Sequence, residues 1–442
     1  METLLAFLVL IGVLVLVHEF GHFIVAKAFG VKVEVFSIGF GPPIFRKKWG
    51  ETVYQIALLP LGGYVKLYGE DEENEEARKD PRSFYAKPPW QRILIALAGP
   101  LFNFLLAVFV FWLVYLFPQK VPAYIYQTPE VGYVETNSTA KRLGLRPGDL
   151  IVAVNGVKVH SWEQLDKLLR ENTGKEVTLT VKRGNGELHL RLKLSLDVLK
   201  RGLGVLPYVP PEVGRVEPGS PAAQVGLKPG DRIVAVNGVK VHSWWELPKL
   251  VQSSGGKPIR LTIERNGKLI DLTVVPQEVK LPNGKVRYIL GVEAPIEYKE
   301  VRIGPLEALK LAIQKTWFLT VLTLKVLWGL ITGQVPLNTL GGPLAIAGYA
   351  GEAAKMGLVA FLSAMGVLSV QLALFNLLPL PLLDGGLALL FLIEWIRGKP
   401  LPQKFKQWWT QIGLVLILTL MVFIITQDLI RWITTGKLFP SP

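Results

Sequence analysis

The chain has 442 residues, of which 50% are hydrophobic, and 49 Lys+Arg against 35 Asp+Glu give it a formal net charge of +14. It contains no cysteine, which excludes disulfide scaffolds, thiolate metal sites, iron–sulfur clusters and cysteine nucleophiles. The basic residues form no stripe with interleaved aromatic residues, so we expect no nucleic acid among the partners.

Four apolar segments are long enough to cross a bilayer, which takes about 20 residues. The first has no basic start and no small-residue cleavage site, which favours an uncleaved span over a signal peptide. The third is too long and too rich in Pro and Gly for one straight helix. The predicted transmembrane segments are residues 1–29, 92–117, 356–394 and 408–434.

The distribution of Lys and Arg predicts the orientation of these spans. Residues 30–91, which include Arg46, Lys47 and Lys48, and the loop that includes Arg397 are strongly basic. The positive-inside rule therefore places both loops in the cytoplasm. Both chain termini and everything between the second and third spans are then predicted to be extracytoplasmic.

A long sequence repeat lies between the second and third spans. Leu145–Trp162 recurs 82 residues further on as Leu227–Trp244 with only two differences. Each copy has a Pro-Gly-Asp turn, an apolar strand, an Asn-Gly hairpin turn and a capped helix. The period predicts two tandem small β-rich domains, at residues 125–198 and 202–278.

The pattern GLxPGDxIxxVNG in both copies resembles the PDZ domain in its bacterial, circularly permuted form. The resemblance implies that extended peptides bind there, with the terminal carboxylate held by backbone N–H groups. The candidate carboxylate loop is Gly202, Leu203, Gly204 and Val205, which we assign to the second copy. No such loop precedes the first copy, so that copy could instead be a spacer or gate that binds no peptide.

Residues 279–352 are predicted to form a linker strand and an interfacial amphipathic helix. Within them, Pro305–Ile331 combines apolar residues with Lys310, Lys315, Lys325 and two tryptophans. That mixture is typical of a helix in the membrane interface rather than a span.

The first apolar segment contains His18-Glu19-Phe20-Gly21-His22, an HExxH motif. On a helix, two His at i and i+4 lie on one face and can share a Zn²⁺. The Glu can then act as general base on a water molecule. Ionisable groups inside an apolar span carry a high desolvation cost, which favours a function over histidines that merely pack in a span.

A zinc site with two His needs a third ligand. Asp384 is the only ionisable residue between Met356 and Ile393, and Pro379, Pro381 and two glycines break the helix around it. A lone carboxylate at membrane depth is costly unless it is paired or binds a metal. We therefore predict an open site of His18, His22 and Asp384 with water in the fourth position.

The HExxH motif in a first span and NxxPxPxLDGG in a late span resemble the site-2 protease family of intramembrane zinc metalloproteases. With the PDZ pair, nearly the whole chain resembles the bacterial regulator-of-sigma-E protease branch. The resemblance implies one Zn²⁺ per chain and Glu19 as the catalytic base. It also implies that Asn376 contacts the substrate backbone or the oxyanion, although an amide there could instead bond carbonyls freed at the helix break.

Other segments resemble further parts of this family. Ser37–Phe45 resembles a membrane re-entrant β-loop, whose edge at Gly39, Phe40 and Gly41 would pair with the substrate. Leu58–Glu72 resembles a cytosolic hairpin with a following acidic stretch. For Gly99 and Asn103, in a Gly-x-x-x-Asn pattern, we favour helix packing over a polar contact with the site.

The fold class predicted is thus a multi-pass α-helical membrane protein with four transmembrane segments, two inserted circularly permuted PDZ domains and a membrane-associated β-loop region. The family implies cleavage of single-span membrane proteins, such as anti-sigma factors or signal-peptide remnants, after a first extracytoplasmic cut. It also implies a location in the bacterial inner membrane, with the lipid bilayer as a partner and the active site toward the cytoplasm. The PDZ domains would bind peptide C-termini or only gate access to the active site.

Two alternatives remain at this point. The first is a non-catalytic PDZ membrane adaptor, for which Glu19 would be dispensable. The second is a zinc transporter or sensor, which would need polar residues that continue across the bilayer.

Overall fold

A computed structural model of the chain describes residues 2–70, 79–194, 202–280, 286–336 and 341–435. The chain forms two compact units, one of Met1–Pro118 with Arg302–Pro442 and the other of Gln119–Val301.

The first unit begins with α1 (Glu2–Ala28), β1 (Val33–Trp49), β2 (Thr52–Leu67) and α2 (Pro89–Leu116). Both strands are long and irregular, and Phe36 of β1 has partners on two sides, Tyr54 and Val65. Ser37 likewise pairs with Tyr64. The predicted re-entrant loop and the predicted cytosolic hairpin are therefore parts of one sheet, and residues 71–72 of the latter lie outside the described residues.

The second unit contains the two sequence repeats. The elements up to the end of the first repeat are β3 (Gln119–Pro122), a 3-10 turn (Ala123–Tyr126), β4 (Val131–Val134), α3 (Thr139–Arg142), β5 (Leu150–Val154), β6 (Val157–Lys158), α4 (Trp162–Glu171), β7 (Glu176–Arg183), β8 (Gly186–Lys193) and β9 (Val205–Pro207).

The second repeat follows the same order. Its elements are β10 (Arg215–Val216), α5 (Pro221–Gln224), β11 (Arg232–Val236), β12 (Val239–Lys240), a 3-10 turn (Trp244–Glu246), α6 (Leu247–Ser253), β13 (Ile259–Arg265), β14 (Lys268–Val274), β15 (Gln277–Lys280), β16 (Val286–Ile289), β17 (Val292–Glu293) and finally β18 (Tyr298–Val301), which pairs with β3.

Each repeat forms its own four-stranded antiparallel sheet, in the order β6-β5-β7-β8 or β12-β11-β13-β14. The alternation of apolar residues buries Ile151 and Leu179 in one core and Ile233 and Leu261 in the other. Side chains that alternate across a strand account for this one-sided burial.

The pairing of the last strand of each repeat shows to which repeat the candidate carboxylate loop belongs. Strand β9 pairs with β4, and β17 pairs with β10. The Ala140 N–H donates to the Leu203 carbonyl at 2.8 Å, and Leu203 belongs to the core of the first repeat. The assignment of Gly202–Val205 to the second copy was therefore wrong, because in each repeat the loop follows the hairpin and returns to the first strand.

The equivalent loop of the second repeat contains Leu290 and Gly291. There the Ala222 N–H donates to the Leu290 carbonyl, and the Glu217 N–H donates to the Gly291 carbonyl, both at 2.9 Å. The second repeat consequently extends past the predicted boundary at residue 278.

The remainder of the first unit is helical. It consists of α7 (Pro305–Ile331), α8 (Pro343–Lys355), α9 (Leu358–Asn376), α10 (Asp384–Arg397) and α11 (Gln403–Thr435). Four helices of the described chain are long and apolar enough to cross a membrane, over Glu2–Ala28, Pro89–Leu116, Leu358–Asn376 and Gln403–Ile430. The expected break in the third apolar segment separates α9 from α10.

Helix α7, for which we predicted an interfacial position, packs against α2. Ala312 belongs to the same apolar cluster as Ala107 and Phe111 of α2. At the start of α7, the indole N–H of Trp112 donates to the Pro305 carbonyl at 2.9 Å. The first half of α7 therefore packs alongside this candidate span, and its position in the membrane interface remains a prediction.

Candidate metal and catalytic site

The HExxH motif lies on one face of α1. The Nε2 atoms of His18 and His22 are 3.2 Å apart, one helical turn from each other. His18 is buried, with 8% of its surface exposed. Two imidazole nitrogens that face each other this closely are suited to share a cation.

Asp384 reaches these histidines as the first residue of α10. Its Oδ2 lies 3.0 Å from His18 Nε2, and its Oδ1 lies 3.5 Å from His22 Nε2. The chain between α9 and α10 folds tightly onto the first turn of α10. A Cβ on Gly385 would lie 2.2 Å from the Leu377 carbonyl oxygen, and a Cβ on Gly386 would lie 1.9 Å from that of Leu380. The two glycines therefore permit the close turn that presents Asp384.

The three side chains fit a zinc ion. Tetrahedral zinc with ligand bonds of about 2.0–2.1 Å places its ligand atoms about 3.3–3.4 Å apart, close to the observed 3.0, 3.2 and 3.5 Å. Asp384 Oδ2 is buried and makes no hydrogen bond of acceptable geometry with the described residues. A buried carboxylate oxygen without a hydrogen bond costs free energy unless it binds a cation.

Contacts from α2 orient both imidazole rings. His22 Nδ1 lies 2.8 Å from the Ile95 carbonyl oxygen, to which a ring N–H would donate. His18 Nδ1 lies 3.1 Å from the side-chain amide of the fully buried Asn103. Donation from Nδ1 to an oxygen, as from His22 to Ile95, leaves the Nε2 lone pair for a metal, and outer contacts such as these hold ligand rings in place.

Gly99 of α2 faces the same ligand atoms. A Cβ at this position would lie 2.3 Å from His22 Nε2 and 2.7 Å from His18 Nε2. Helix packing alone, which we favoured for Gly99 and Asn103, was therefore the wrong interpretation of the Gly-x-x-x-Asn pattern. Both residues face the site, and the polar alternative is the one that the geometry supports.

A cavity of about 380 Å³ opens beside Glu19. Val65 of β2 lines this cavity together with Glu19. Gly63 and Tyr64 also line the cavity, so the end of β2 borders the site. The sequence analysis did not assign this segment to the site. The one signal in the sequence was the pair Gly62-Gly63, since glycine lets the backbone approach another side chain closely.

Other predicted site residues are not among those that line this cavity. Gly39, Phe40 and Gly41 lie in β1, where the Phe40 ring stacks on Tyr64 at a centroid distance of 6.2 Å. Asn376 is the last residue of α9, immediately before the turn that leads to Asp384. Contacts of these four residues with a substrate therefore remain predictions.

Comparisons with known proteins agree with this site. The chain matches the description "Peptidase family M50" over residues 6–420. It is 39% identical to the regulator of sigma-E protease RseP of Escherichia coli, over 97% of this chain and 98% of that protein. It is 36% identical, over the same shares of the two chains, to a protein of Vibrio cholerae that carries the name of a zinc metalloprotease.

A solved PDZ domain of the SdrC-like protein from Listeria monocytogenes covers 20% of this chain and 90% of its own, with 21% identity and a TM-score of 0.17. That likeness is too low to assign a fold. The family match, by contrast, spans most of the chain and includes every residue of the candidate metal site. The chain therefore belongs to peptidase family M50, the site-2 proteases, and is an intramembrane zinc metalloprotease.

Proposed function

We propose that His18, His22 and Asp384 hold one Zn²⁺ and that Glu19 is the general base for hydrolysis of a peptide bond. The observation that carries this proposal is the convergence of the three ligand atoms within 4.8 Å of one another, directly beside the cavity that Glu19 lines. Zinc at such a site would lower the pKa of a water molecule and polarise the scissile carbonyl.

The side chains of this protein would then move the protons. The Glu19 carboxylate accepts a proton from the attacking water and donates it to the leaving amine. The end of β2 lies against this side chain, since a Cβ on Gly63 would lie 3.0 Å from Glu19 Cγ. Asn376 would contact the substrate backbone or the oxyanion, and its place at the end of α9, just before the turn to Asp384, supports that role.

The substrate would bind in extended form as an added strand. A transmembrane helix hides its peptide bonds, so it must unwind before a carboxylate and a metal can reach them. The β1–β2 sheet, with Gly39–Gly41 in β1 and Gly63–Val65 beside Glu19, offers backbone groups for such pairing. Single-span membrane proteins, cut first on the extracytoplasmic side, are the substrates we propose, with anti-sigma factors and signal-peptide remnants as examples.

The two repeats would act as tandem, circularly permuted PDZ domains. In support, no acceptor is found among the described residues for the N–H groups of Leu203 and Gly204, whose carbonyls are both bonded. Beside them, a cavity of about 130 Å³ is lined by Leu165 and Leu169 of α4. Free N–H groups next to an apolar pocket suit a terminal carboxylate and a hydrophobic last residue.

The location we propose is the bacterial inner membrane, with both termini and the repeats extracytoplasmic and the metal site toward the cytoplasm. The basic residues that flank α1, such as Lys27 and Lys32, support this orientation.

The decisive experiment compares wild type, Glu19→Gln and Asp384→Ala in detergent with a model single-span substrate. We expect wild type to cleave unless a chelator is present and Glu19→Gln to retain zinc but cleave at least about 100-fold more slowly. Asp384→Ala should lose both zinc and cleavage. Cleavage that survives either substitution would overturn the site assignment.

A further inference from the structure

A second cavity in the repeat unit combines aromatic rings with one carboxylate. It has a volume of about 240 Å³ and lies beside the first residue of α4. Its walls include the half-buried rings of Tyr124, Trp162 and Tyr208 and the side chain of Glu130. The remaining lining residues are neutral, so the only formal charge at its wall is negative.

The Glu130 carboxylate has no hydrogen bond or ion pair with the described residues, whereas its backbone is fully used. The Glu130 N–H donates to the Thr128 carbonyl, and the Tyr208 N–H donates to the Glu130 carbonyl. A half-buried carboxylate without a partner attracts a cation, and aromatic faces add to that attraction. The chemistry of the cavity therefore selects an ammonium or guanidinium group.

This cavity adjoins the apolar pocket beside the carboxylate loop, because Trp162 lines both of them. The equivalent residue of the second repeat, Trp244, is buried in the core of that repeat. The paired arrangement is thus a property of the first repeat.

Strand β9 determines which ligand residue would reach the second cavity. A peptide with its carboxylate at Leu203 and Gly204 would run antiparallel to β9, toward Pro207. Side chains of an extended strand alternate in direction. The last and the third-from-last side chains therefore point to the same side, toward Leu169 and Trp162 respectively.

Backbone pairing with β9 cannot extend beyond that third residue. Pro207 has no N–H to donate, and its carbonyl already accepts from the indole N–H of Trp245 at 2.7 Å. Recognition is consequently concentrated in a few terminal residues of the ligand.

We propose that the first repeat selects peptides with a hydrophobic C-terminal residue and a lysine or arginine third from the end, and that the cationic side chain binds between Glu130 and Trp162. This proposal rests on the function proposed above for the carboxylate loop.

The test uses the full-length protein in detergent and fluorescein-labelled octapeptides that end in a free valine carboxylate. Lysine, glutamine or glutamate occupies the third position from the end, and an amidated version of the lysine peptide completes the set. By fluorescence anisotropy we expect the lysine peptide to bind roughly five- to tenfold more tightly than the glutamine peptide. The glutamate peptide should bind more weakly still.

Substitutions at Glu130 test the cation site independently of the carboxylate loop and its apolar pocket. Glu130→Gln should abolish the preference for the lysine peptide without weakening the binding of the glutamine peptide. Glu130→Lys should bind the glutamate peptide most tightly. Glu212→Gln is the matched control, because Glu212 holds the same bridging position in the second repeat as Glu130 does in the first. It should leave the preference unchanged.

Two results would contradict the proposal in different ways. Equal binding of the lysine and glutamine peptides to wild type overturns the cation site but leaves the carboxylate loop standing. Failure of every free-acid peptide to bind more tightly than the amidated one overturns the carboxylate loop, and the cation site with it.

Discussion

A methyl group on Gly99 would lie 2.3 Å from Nε2 of His22, well inside van der Waals contact. The absence of a side chain on α2 thus leaves the space in which the ligand atoms of α1 and α10 converge. The proposed metal site would depend on this glycine as much as on the side chains that we propose as ligands.

Gly99→Ala is therefore expected to expel zinc from the site. Displacement of the ligands by about an ångström should lower the cleavage rate about 100-fold, although alanine itself favours a helix by about 1 kcal/mol. Zinc content by mass spectrometry and substrate cleavage check this. Gly12→Ala is the matched control, since a Cβ there meets no atom within 4 Å; equal zinc content in the two variants would contradict the prediction.

Asn103→Ala should weaken zinc binding without loss of the fold. Because Asn103 contacts His18 Nδ1, its removal frees the ring to turn, and loss of such outer contacts typically costs about 10–100-fold in metal affinity. Competition with a chromogenic chelator measures the affinity. Thr316→Val serves as the control, because the only partner of this buried hydroxyl among the described residues is the Ala312 carbonyl of its own helix. An unchanged affinity in Asn103→Ala would exclude the orienting role.

A buried ion cluster fastens the far end of α10. Glu394 lies 2.9 Å from Arg92 of α2 and 2.8 Å from Lys406 of α11, and its side chain is 3% exposed. Glu394→Gln should destabilise the protein by about 3 kcal/mol, since it leaves the buried Arg92 and the half-buried Lys406 without their carboxylate. Thermal unfolding in detergent measures the loss. Glu352→Gln breaks only the exposed pair with Lys355 and should cost less than about 1 kcal/mol; similar losses in both variants would refute the role of burial.

The second repeat should lose stability in acid through Asp231. Burial raises the pKa of its carboxyl, but hydrogen bonds from Arg265 and from the Lys228 N–H outweigh burial and hold this pKa below the ordinary value. A carboxyl whose pKa is lower in the folded protein than in the unfolded chain stabilises the fold at pH values above its unfolded pKa of about 3.9. That contribution is lost as the pH falls through the folded-state pKa.

The difference in unfolding temperature between wild type and Asp231→Asn should consequently be largest above pH 4 and shrink below it. Tryptophan fluorescence follows the unfolding, and Trp244 in the core of the repeat contributes to it beside the other tryptophans of the chain. Asp271→Asn, at an exposed hydroxyl contact with Thr262, should show a smaller difference throughout. A difference for Asp231→Asn that stays constant from pH 7 to pH 3 would contradict the prediction.

Local pattern was sufficient for several features of the fold. The number of candidate spans and the break before Asp384 follow from hydropathy and from proline and glycine placement, which act over short stretches of chain. The packing of α7 against α2 could not be obtained in this way, because its three lysines lower its hydropathy while Ala312 still joins the apolar cluster of Ala107 and Phe111.

The carboxylate loop shows the limit of motif order along the chain. Gly202–Val205 lies closer in sequence to the second copy, yet hydrogen bonds from Glu135 and Ala140 place it in the first repeat. A strand that returns to pair with the start of its own domain leaves no local signal of its partner.

The sequence by itself determined the chemistry of this protein, since two histidines at helical spacing beside a glutamate, and one aspartate isolated in an apolar segment, leave few alternatives to a metal site in the membrane. Only the tertiary structure decided what surrounds that chemistry. The contacts of Gly99, Asn103 and Gly63 with the motif join elements far apart in the chain. Packing between such elements depends on shape and close approach rather than on local residue pattern.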